Sequence, residues 1–213
     1  QEHFQLAADG KNEAALEAIA RASKRAEAAV AQSPDSPELH FLLGRLKADE
    51  LSLYVRDGQV EKVEPLRKEV AATAERASTL DPGMFQAYLL HVDALTLPAD
   101  PNSDTTAAQK ERVSKALDVL EAARDRTLTL RSLRATLNQA QRQMLIFRGF
   151  MAAIGLNELA RGTGGDTAGT LARARGFLDD AQTRMPESPM TSYMAGVYRA
   201  SDNDFVGAIK AFE

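Results

Sequence analysis

The chain has 213 residues, of which 44% are hydrophobic, 26% are charged and none is cysteine, and its formal net charge is -4. This composition indicates a folded protein with a core, and it excludes disulfides, thiolate chemistry and zinc sites with cysteine ligands. The small net charge indicates no global attraction to nucleic acid or to an anionic membrane.

From the two ends of the chain we form expectations about how the protein is processed and in which compartment it is found. Residue 1 is Gln and no secretory signal follows it, so we expect a processed or trimmed start. The helical pattern from Asp204 to Glu213 is still running when the chain stops, and we expect the native protein to continue there. The cysteine-free composition fits both the cytosol and a bacterial periplasm, and the start without Met slightly favours the periplasm.

Helical periodicity dominates the chain, as Ala15, Ile19, Ala22 and Ala26 recur at steps of three and four residues. Clusters of Gly, Pro, Asp, Asn and Ser separate the periodic segments and mark turns. Aromatic residues make up only 6% of the chain, which favours closely packed helices over a sheet. We predict about ten helices, the first ending at Ala8 and the others near 12–32, 36–56, 59–79, 83–96, 105–125, 132–161, 167–185, 189–201 and 204 to the end.

Three local features refine this prediction. Asp35 and Glu38 have the spacing of a capping box, and Pro65 is expected to kink the helix in which it lies. The longest apolar run, Met144 to Leu156, is interrupted by Arg148 and is shorter than the roughly 20 residues that cross a bilayer. We interpret this run as a buried helix.

Prolines and small residues recur with a spacing that points to a repeat. The middle of a predicted helix comes ten residues after each of three prolines. Gly44 follows Pro34, Val92 follows Pro82 and Gly196 follows Pro186 at this distance. The last repeat has Gly196, Ala208 and Phe212, and the half-repeat before it has Gly169, Ala174, Leu178, Ala181 and Pro186. In these positions the chain resembles the tetratricopeptide repeat (TPR) family. Pro34 and Pro82 lie 48 residues apart, whereas the family repeat is about 34 residues long, and residues 97–165 fit poorly, so the repeats are irregular.

The resemblance implies an all-α, right-handed helix-pair solenoid of about ten antiparallel helices. We expect one domain over 1–213, truncated at one or both ends, with an irregular middle at 97–165. The implied function is that of a non-catalytic scaffold or adaptor that holds a protein or peptide segment in a concave groove. The setting that we expect is a bacterial assembly, secretion or transport complex. The partner-contacting positions carried over from the family are Glu38, Phe41, Arg45, Asp49, Gln86, Leu89, Asp93, Tyr193 and Val197.

The apolar members of this set have a second interpretation. Phe41, Leu89 and Val197 are as readily explained as core residues, because amphipathic helices use most apolar side chains for packing. The family's clamp for a C-terminal carboxylate is not expected here, since acids stand at Asp49 and Asp93 and only Arg45 is basic.

Other candidate sites are weaker. The arginines at 124, 126, 131, 134, 142, 148 and 161 give a local positive excess, which an acidic partner or, more simply, neighbouring acidic helices would balance. The loop from Gly162 to Asp166 follows a helix and lacks the Lys-Ser/Thr of a P-loop, so it predicts a turn. His3, His40 and His91 lack the spacing of a metal site, and no cofactor is predicted.

Two further functions remain open at this stage. One is a small-molecule-binding accessory subunit of a transport system, with a pocket near residues 144–156 for a small apolar or anionic molecule. The other is self-association through the terminal repeat, whose unfinished end would expose apolar surface. An enzyme is the least favoured, because no acid–base pair, nucleophile elbow or cofactor loop is present in the sequence.

Overall fold

The structure, a computed structural model, describes residues 12–97, 105–129 and 137–212, which contain α-helices, one π-helical turn and no strand. The chain divides into two compact units, Gln1–Asp104 and Thr105–Glu213. The first unit holds α1 (Asn12–Gln32), α2 (Pro37–Arg56), α3 (Val60–Leu80) and α4 (Phe85–Thr96). The second holds α5 (Thr106–Arg124), a π-turn (Asp125–Thr129), α6 (Gln139–Thr163), α7 (Thr167–Arg184), α8 (Pro189–Ser201) and α9 (Phe205–Phe212).

These bounds agree with the predicted helices to within two residues at most ends, because turn residues mark the helix starts. The exception is α6, which begins at Gln139 rather than near residue 132. The predicted leading helix to Ala8 lies outside the described residues. Pro65 lies inside α3, and the helix continues beyond it.

Side-chain caps explain where several helices begin. The predicted capping box of Asp35 and Glu38 is wrong, because Ser36 is the N-cap and its hydroxyl accepts a hydrogen bond from the Leu39 amide at 3.3 Å. Pro37 takes the first helical position, where its missing amide proton costs nothing. A reciprocal capping box instead opens α6, where Asn138 and Gln141 exchange side-chain and backbone hydrogen bonds.

The core of unit 1 lies between α2, α3 and α4. Val63, Val70 and Ala74 of α3 are at most 1% exposed and pack with Leu51 and with two residues of α4, Leu90 and Ala94. Gly44 of α2 faces α3 closely, since a Cβ atom there would lie 2.7 Å from the Thr73 hydroxyl oxygen. The α2 and α4 helices also contact each other, as consecutive first helices do in stacked helix pairs.

The core of unit 2 depends on two close contacts between a glycine and an aromatic ring. A Cβ atom on Gly149 of α6 would overlap the fully buried ring of Phe177 in α7, and one on Gly196 of α8 would overlap the ring of Phe212 in α9. Glycine is therefore required at position 149 for the helices to approach so closely, whereas the Phe212 ring is 55% exposed and can move away from a side chain at position 196. Consecutive helices pack in pairs within each unit, and the predicted all-α, helix-pair fold is confirmed.

None of the helices in the described ranges combines the length and the apolar character needed to span a membrane.

Candidate functional site

In unit 1, the predicted contact positions lie along α2 and α4 and are largely polar. Glu38, Gln86 and Asp93 are exposed. The Glu38 carboxylate has its pKa lowered by a backbone hydrogen bond and by the Ser36 hydroxyl, which donates to it at 2.9 Å. Arg45 Nε lies 3.8 Å from Asp49 Oδ1, so the basic residue of this face is already near an acid.

Phe41 is the aromatic residue of the unit 1 face, and it belongs largely to the core. Its half-buried ring packs against the cluster that contains Leu51, Val70 and Leu90. Leu89 is also half-buried. Leu42, the residue of α2 that follows Phe41, is 47% exposed.

In unit 2, the predicted contact residue Tyr193 lies on the surface, between two other aromatic rings. The Tyr193 ring centroid lies 6.3 Å from that of Phe147 in α6 and 6.2 Å from that of Phe212 in α9, both within the range of favourable aromatic pairs. Tyr193 is nevertheless 45% exposed. Val197 lies one turn further along the same helix and is half-buried.

Two methionines extend this aromatic row along α6. Met144 and Met151 are 46% and 36% exposed, and their spacing of three and four residues from Phe147 places all three on one helix face. We call Met144, Phe147, Met151, Tyr193 and Phe212 the apolar strip. The interpretation of Met144 to Leu156 as one buried helix overlooked this exposed side. The signal in the sequence was the recurrence of large apolar side chains at steps of three and four residues, at 144, 147 and 151.

The terminal helix α9 continues the exposed apolar surface. Phe205, Val206 and Ile209 are 64%, 69% and 61% exposed. Phe205 and Ile209 share the helix face of Phe212, which joins them to the apolar strip. Self-association through this terminal repeat stays a prediction.

The small-molecule pocket expected near residues 144–156 stays a prediction, and a cleft of unit 2 reaches that range at Leu156. Leu145, Ile146 and Phe150 are fully buried in the core rather than around a cavity. Leu156 lines a cleft of about 740 Å³ whose other walls come from α5 and α7.

The arginines of the middle region have structural partners where they are described. Arg124 lies over the Phe177 ring at 4.9 Å and 3.8 Å from Asp180, and Arg161 donates to the Ser201 carbonyl oxygen. Arg142 donates to the Leu137 carbonyl oxygen at 2.8 Å. Arg131 and Arg134 lie outside the described residues. These contacts favour the interpretation that the arginines stabilise the fold of unit 2.

Two of the three histidines, His40 and His91, lie within the described residues. His40 Nε2 lies 2.8 Å from the Pro34 carbonyl oxygen, and burial lowers the pKa of His91 despite the nearby Glu75 carboxylate. His3 lies outside the described residues. Within 12–97, 105–129 and 137–212, no group of three or more His, Asp and Glu side chains is arranged to hold a metal ion.

Comparisons with known proteins give similarity of structure only. No model of a known protein family matches the sequence, and no curated protein matches it. Among solved structures, the crystal structure of MamA is similar at a TM-score of 0.47 with 14% identity, over 100% of this chain and 91% of MamA. The human IFIT1 dimer with PPP-AAAA is similar at a TM-score of 0.45 with 11% identity, over 99% of this chain and 52% of IFIT1. The chain therefore spans about half the length of IFIT1.

Proposed function

We propose that the chain is a non-catalytic protein-interaction module whose apolar strip binds the apolar side of an amphipathic segment of a partner protein. The observation that carries this proposal is Tyr193, which is 45% exposed although it lies between the rings of Phe147 and Phe212. A side chain held in place by its neighbours loses little conformational entropy when a partner covers it.

The composition of the strip supports an apolar partner. Methionine side chains adapt to differently shaped apolar ligands, and tyrosine is enriched among the residues that dominate binding energy. Amphipathic helices dock into apolar grooves through side chains at helical spacing, which matches the spacing of Met144, Phe147 and Met151 along α6.

The inner positions of unit 1 are proposed as a separate polar contact. Glu38, Asp49 and Asp93 place three carboxylates there beside Arg45, so a segment with basic side chains would complement them. The setting that we propose is a bacterial assembly, secretion or transport complex. Its support is the composition, which is rich in alanine and arginine and free of cysteine.

The test uses a phage-displayed library of random peptides, selected on the full chain. Dissociation constants of the enriched peptides are then measured for the wild type, for Tyr193→Ala and for Leu42→Ala. Leu42 is a matched control because it is an apolar side chain of almost equal exposure, 47%, on unit 1.

We expect Tyr193→Ala to weaken binding by about thirtyfold, the effect of losing a dominant interface residue. Leu42→Ala should change it by less than about twofold, the scale of an energetically neutral contact. Equal losses in the two variants, or no loss in Tyr193→Ala, would contradict a binding site on the apolar strip. Circular dichroism establishes that both variants remain folded.

A second candidate function, a small-molecule-binding accessory subunit of a transport system, is favoured by the cleft of about 740 Å³ in unit 2. This volume falls within the range of roughly 300–1,000 Å³ that is typical of small-molecule sites.

A further inference from the structure

The cleft in unit 2 has an apolar floor and polar walls. Leu156 and Ala160 of α6 form the floor and are 4% and 0% exposed, while α5 and α7 form the two sides. Ala107 lies in the first turn of α5 at the edge of the cleft and is exposed.

The carboxylates along the walls are already engaged. Glu111 is held by Lys115 at 2.6 Å, and Asp118 by Arg173 at 2.6 Å. Asp166 caps α7 by accepting a hydrogen bond from the Gly169 amide at 2.8 Å. A cation in the cleft would therefore compete with existing partners for each of these acids, whereas an anion would not.

Lys110 differs from the other two cations of the cleft. Its ammonium group forms no ion pair with any carboxylate of the described residues, and it donates to the Thr163 hydroxyl at 3.4 Å. That hydroxyl is neutral, and it belongs to the last residue of α6. Lys110 is accordingly the group in the cleft that is available to an anion.

The inner end of the cleft is polar. Thr170 lines the wall, and its hydroxyl donates to Oδ1 of Asn157, a residue that is fully buried behind it, at 3.0 Å. The Asn157 amide nitrogen has no hydrogen-bond partner within the described part of the chain. A buried amide with an unsatisfied donor costs about 1–3 kcal/mol of folding free energy. Its presence distinguishes this wall from an apolar contact between two helices.

We propose that the cleft binds a small amphiphilic anion, with the anionic group on Lys110 and the apolar body against Leu156 and Ala160. This inference rests on the second candidate function and gives it a site and a class of ligand. It is independent of the apolar strip, which shares no residue with the cleft.

The experiment compares two fluorescent probes that have similar apolar bodies. Anilinonaphthalene sulfonate carries an anionic group, and N-phenylnaphthylamine is its neutral counterpart. Dissociation constants are measured by fluorescence titration of the full chain for the wild type, Lys110→Gln, Ala107→Trp, Tyr193→Ala and Lys24→Gln. Lys24→Gln is the matched control, since it removes the same charge from an exposed position in unit 1.

We expect Lys110→Gln to weaken binding of the sulfonate about tenfold, the ratio that one charge-assisted hydrogen bond supplies, and to leave the neutral probe unchanged. Ala107→Trp should weaken binding of both probes, because the indole would occupy part of the cleft. Lys24→Gln and Tyr193→Ala should bind both probes like the wild type.

Two results would overturn the proposal. One is sulfonate binding that is unchanged in Lys110→Gln, and the other is binding that is lost in Tyr193→Ala, which would place the probe on the apolar strip. Should Ala107→Trp fail to fold by circular dichroism, the exchange at Lys110 still decides. Failure here leaves the peptide-binding test intact, because that test is measured through Tyr193 and Leu42.

Discussion

The two units use an aromatic side chain at the same repeat position in opposite ways. In unit 1, Phe41 lies three residues before Gly44 and packs against the core, while the residue that faces the glycine is the small Thr73. In unit 2, Tyr193 lies three residues before Gly196 and stays 45% exposed, because Phe212 of the next helix already covers the glycine. The aromatic side chain at this repeat position therefore belongs to the core in unit 1 and to the surface in unit 2.

The two units also differ in net charge. The described residues of unit 1 include 10 Lys and Arg and 14 Asp and Glu, a difference of -4, and those of unit 2 include 13 and 11, a difference of +2. The acidic unit has a polar inner face, and the slightly basic unit has an apolar one. A partner that contacts both units would need two chemically distinct segments.

The largest effect is expected from Gly149→Val. A side chain at Gly149 must displace the buried Phe177 ring, and overpacking of this kind costs up to about 3 kcal/mol. Native-state hydrogen exchange should show less protection in α6 and α7, with protection in α2 to α4 retained.

Gly155→Val in the same helix is the control for Gly149→Val. Nothing lies within 4 Å of a Cβ atom at Gly155, so its stability should change by less than about 0.5 kcal/mol. Similar losses of protection from the two valines would mean that the contact with Phe177 does not set the cost.

A smaller effect is the difference between Phe41→Ala and Tyr193→Ala in the free energy of unfolding. Phe41 is half-buried against the unit 1 core, so its truncation should cost about 2 kcal/mol, roughly half the range for a fully buried ring. Tyr193 is exposed, and its truncation should cost less than about 1 kcal/mol. Urea unfolding of each variant measures both values, and the opposite order would contradict the assignment of the two rings to core and surface.

The smallest effect concerns a tyrosine of unit 1. Burial, together with the hydrogen bond that Tyr54 donates to Glu50 at 2.9 Å, raises the pKa of Tyr54 from 10.0 to about 12. The folded state thus retains a proton that the unfolded state loses. The resulting stabilisation is fully present below about pH 10 and is lost as the pH rises through about 12.

Ultraviolet titration of tyrosinate should therefore show a late step near pH 12. The step should be missing in Tyr54→Phe and should move to lower pH in Glu50→Gln, where the repelling charge is gone. A late step that persists in Tyr54→Phe would show that another tyrosine produces it.

Most of the fold follows from local chemistry and was predictable. Turn residues such as Ser33, Pro34 and Ser188 mark the helix ends, and the separation of Gly196 and Phe212 is that of the tetratricopeptide pattern. The tetratricopeptide pattern failed to identify a contact of the same kind when its glycine and its ring are separated by a different number of residues. Gly149 meets Phe177 across 28 residues, whereas Gly196 meets Phe212 across 16, so a fixed spacing finds only the second contact.

The site was predictable only in part, because helix faces are assigned by packing partners far away in sequence. Tyr193 was identified from its offset to Gly196, and the structure places it at the surface. Phe41 has the same offset but contacts side chains of α3 and α4, which the offset does not encode. Met144 and Met151 were missed because an almost continuous apolar run hides which side of the helix is covered.

The contact between Gly149 and Phe177 has a consequence for how this protein can change over generations. Because a Cβ atom and the ring cannot occupy the same space, the order of substitutions matters: the ring must become smaller before residue 149 gains a side chain. Lineages that took the first step would then be free to replace the glycine. The pair should accordingly change together among homologous sequences, while Gly155, on the open side of the same helix, should vary without regard to residue 177.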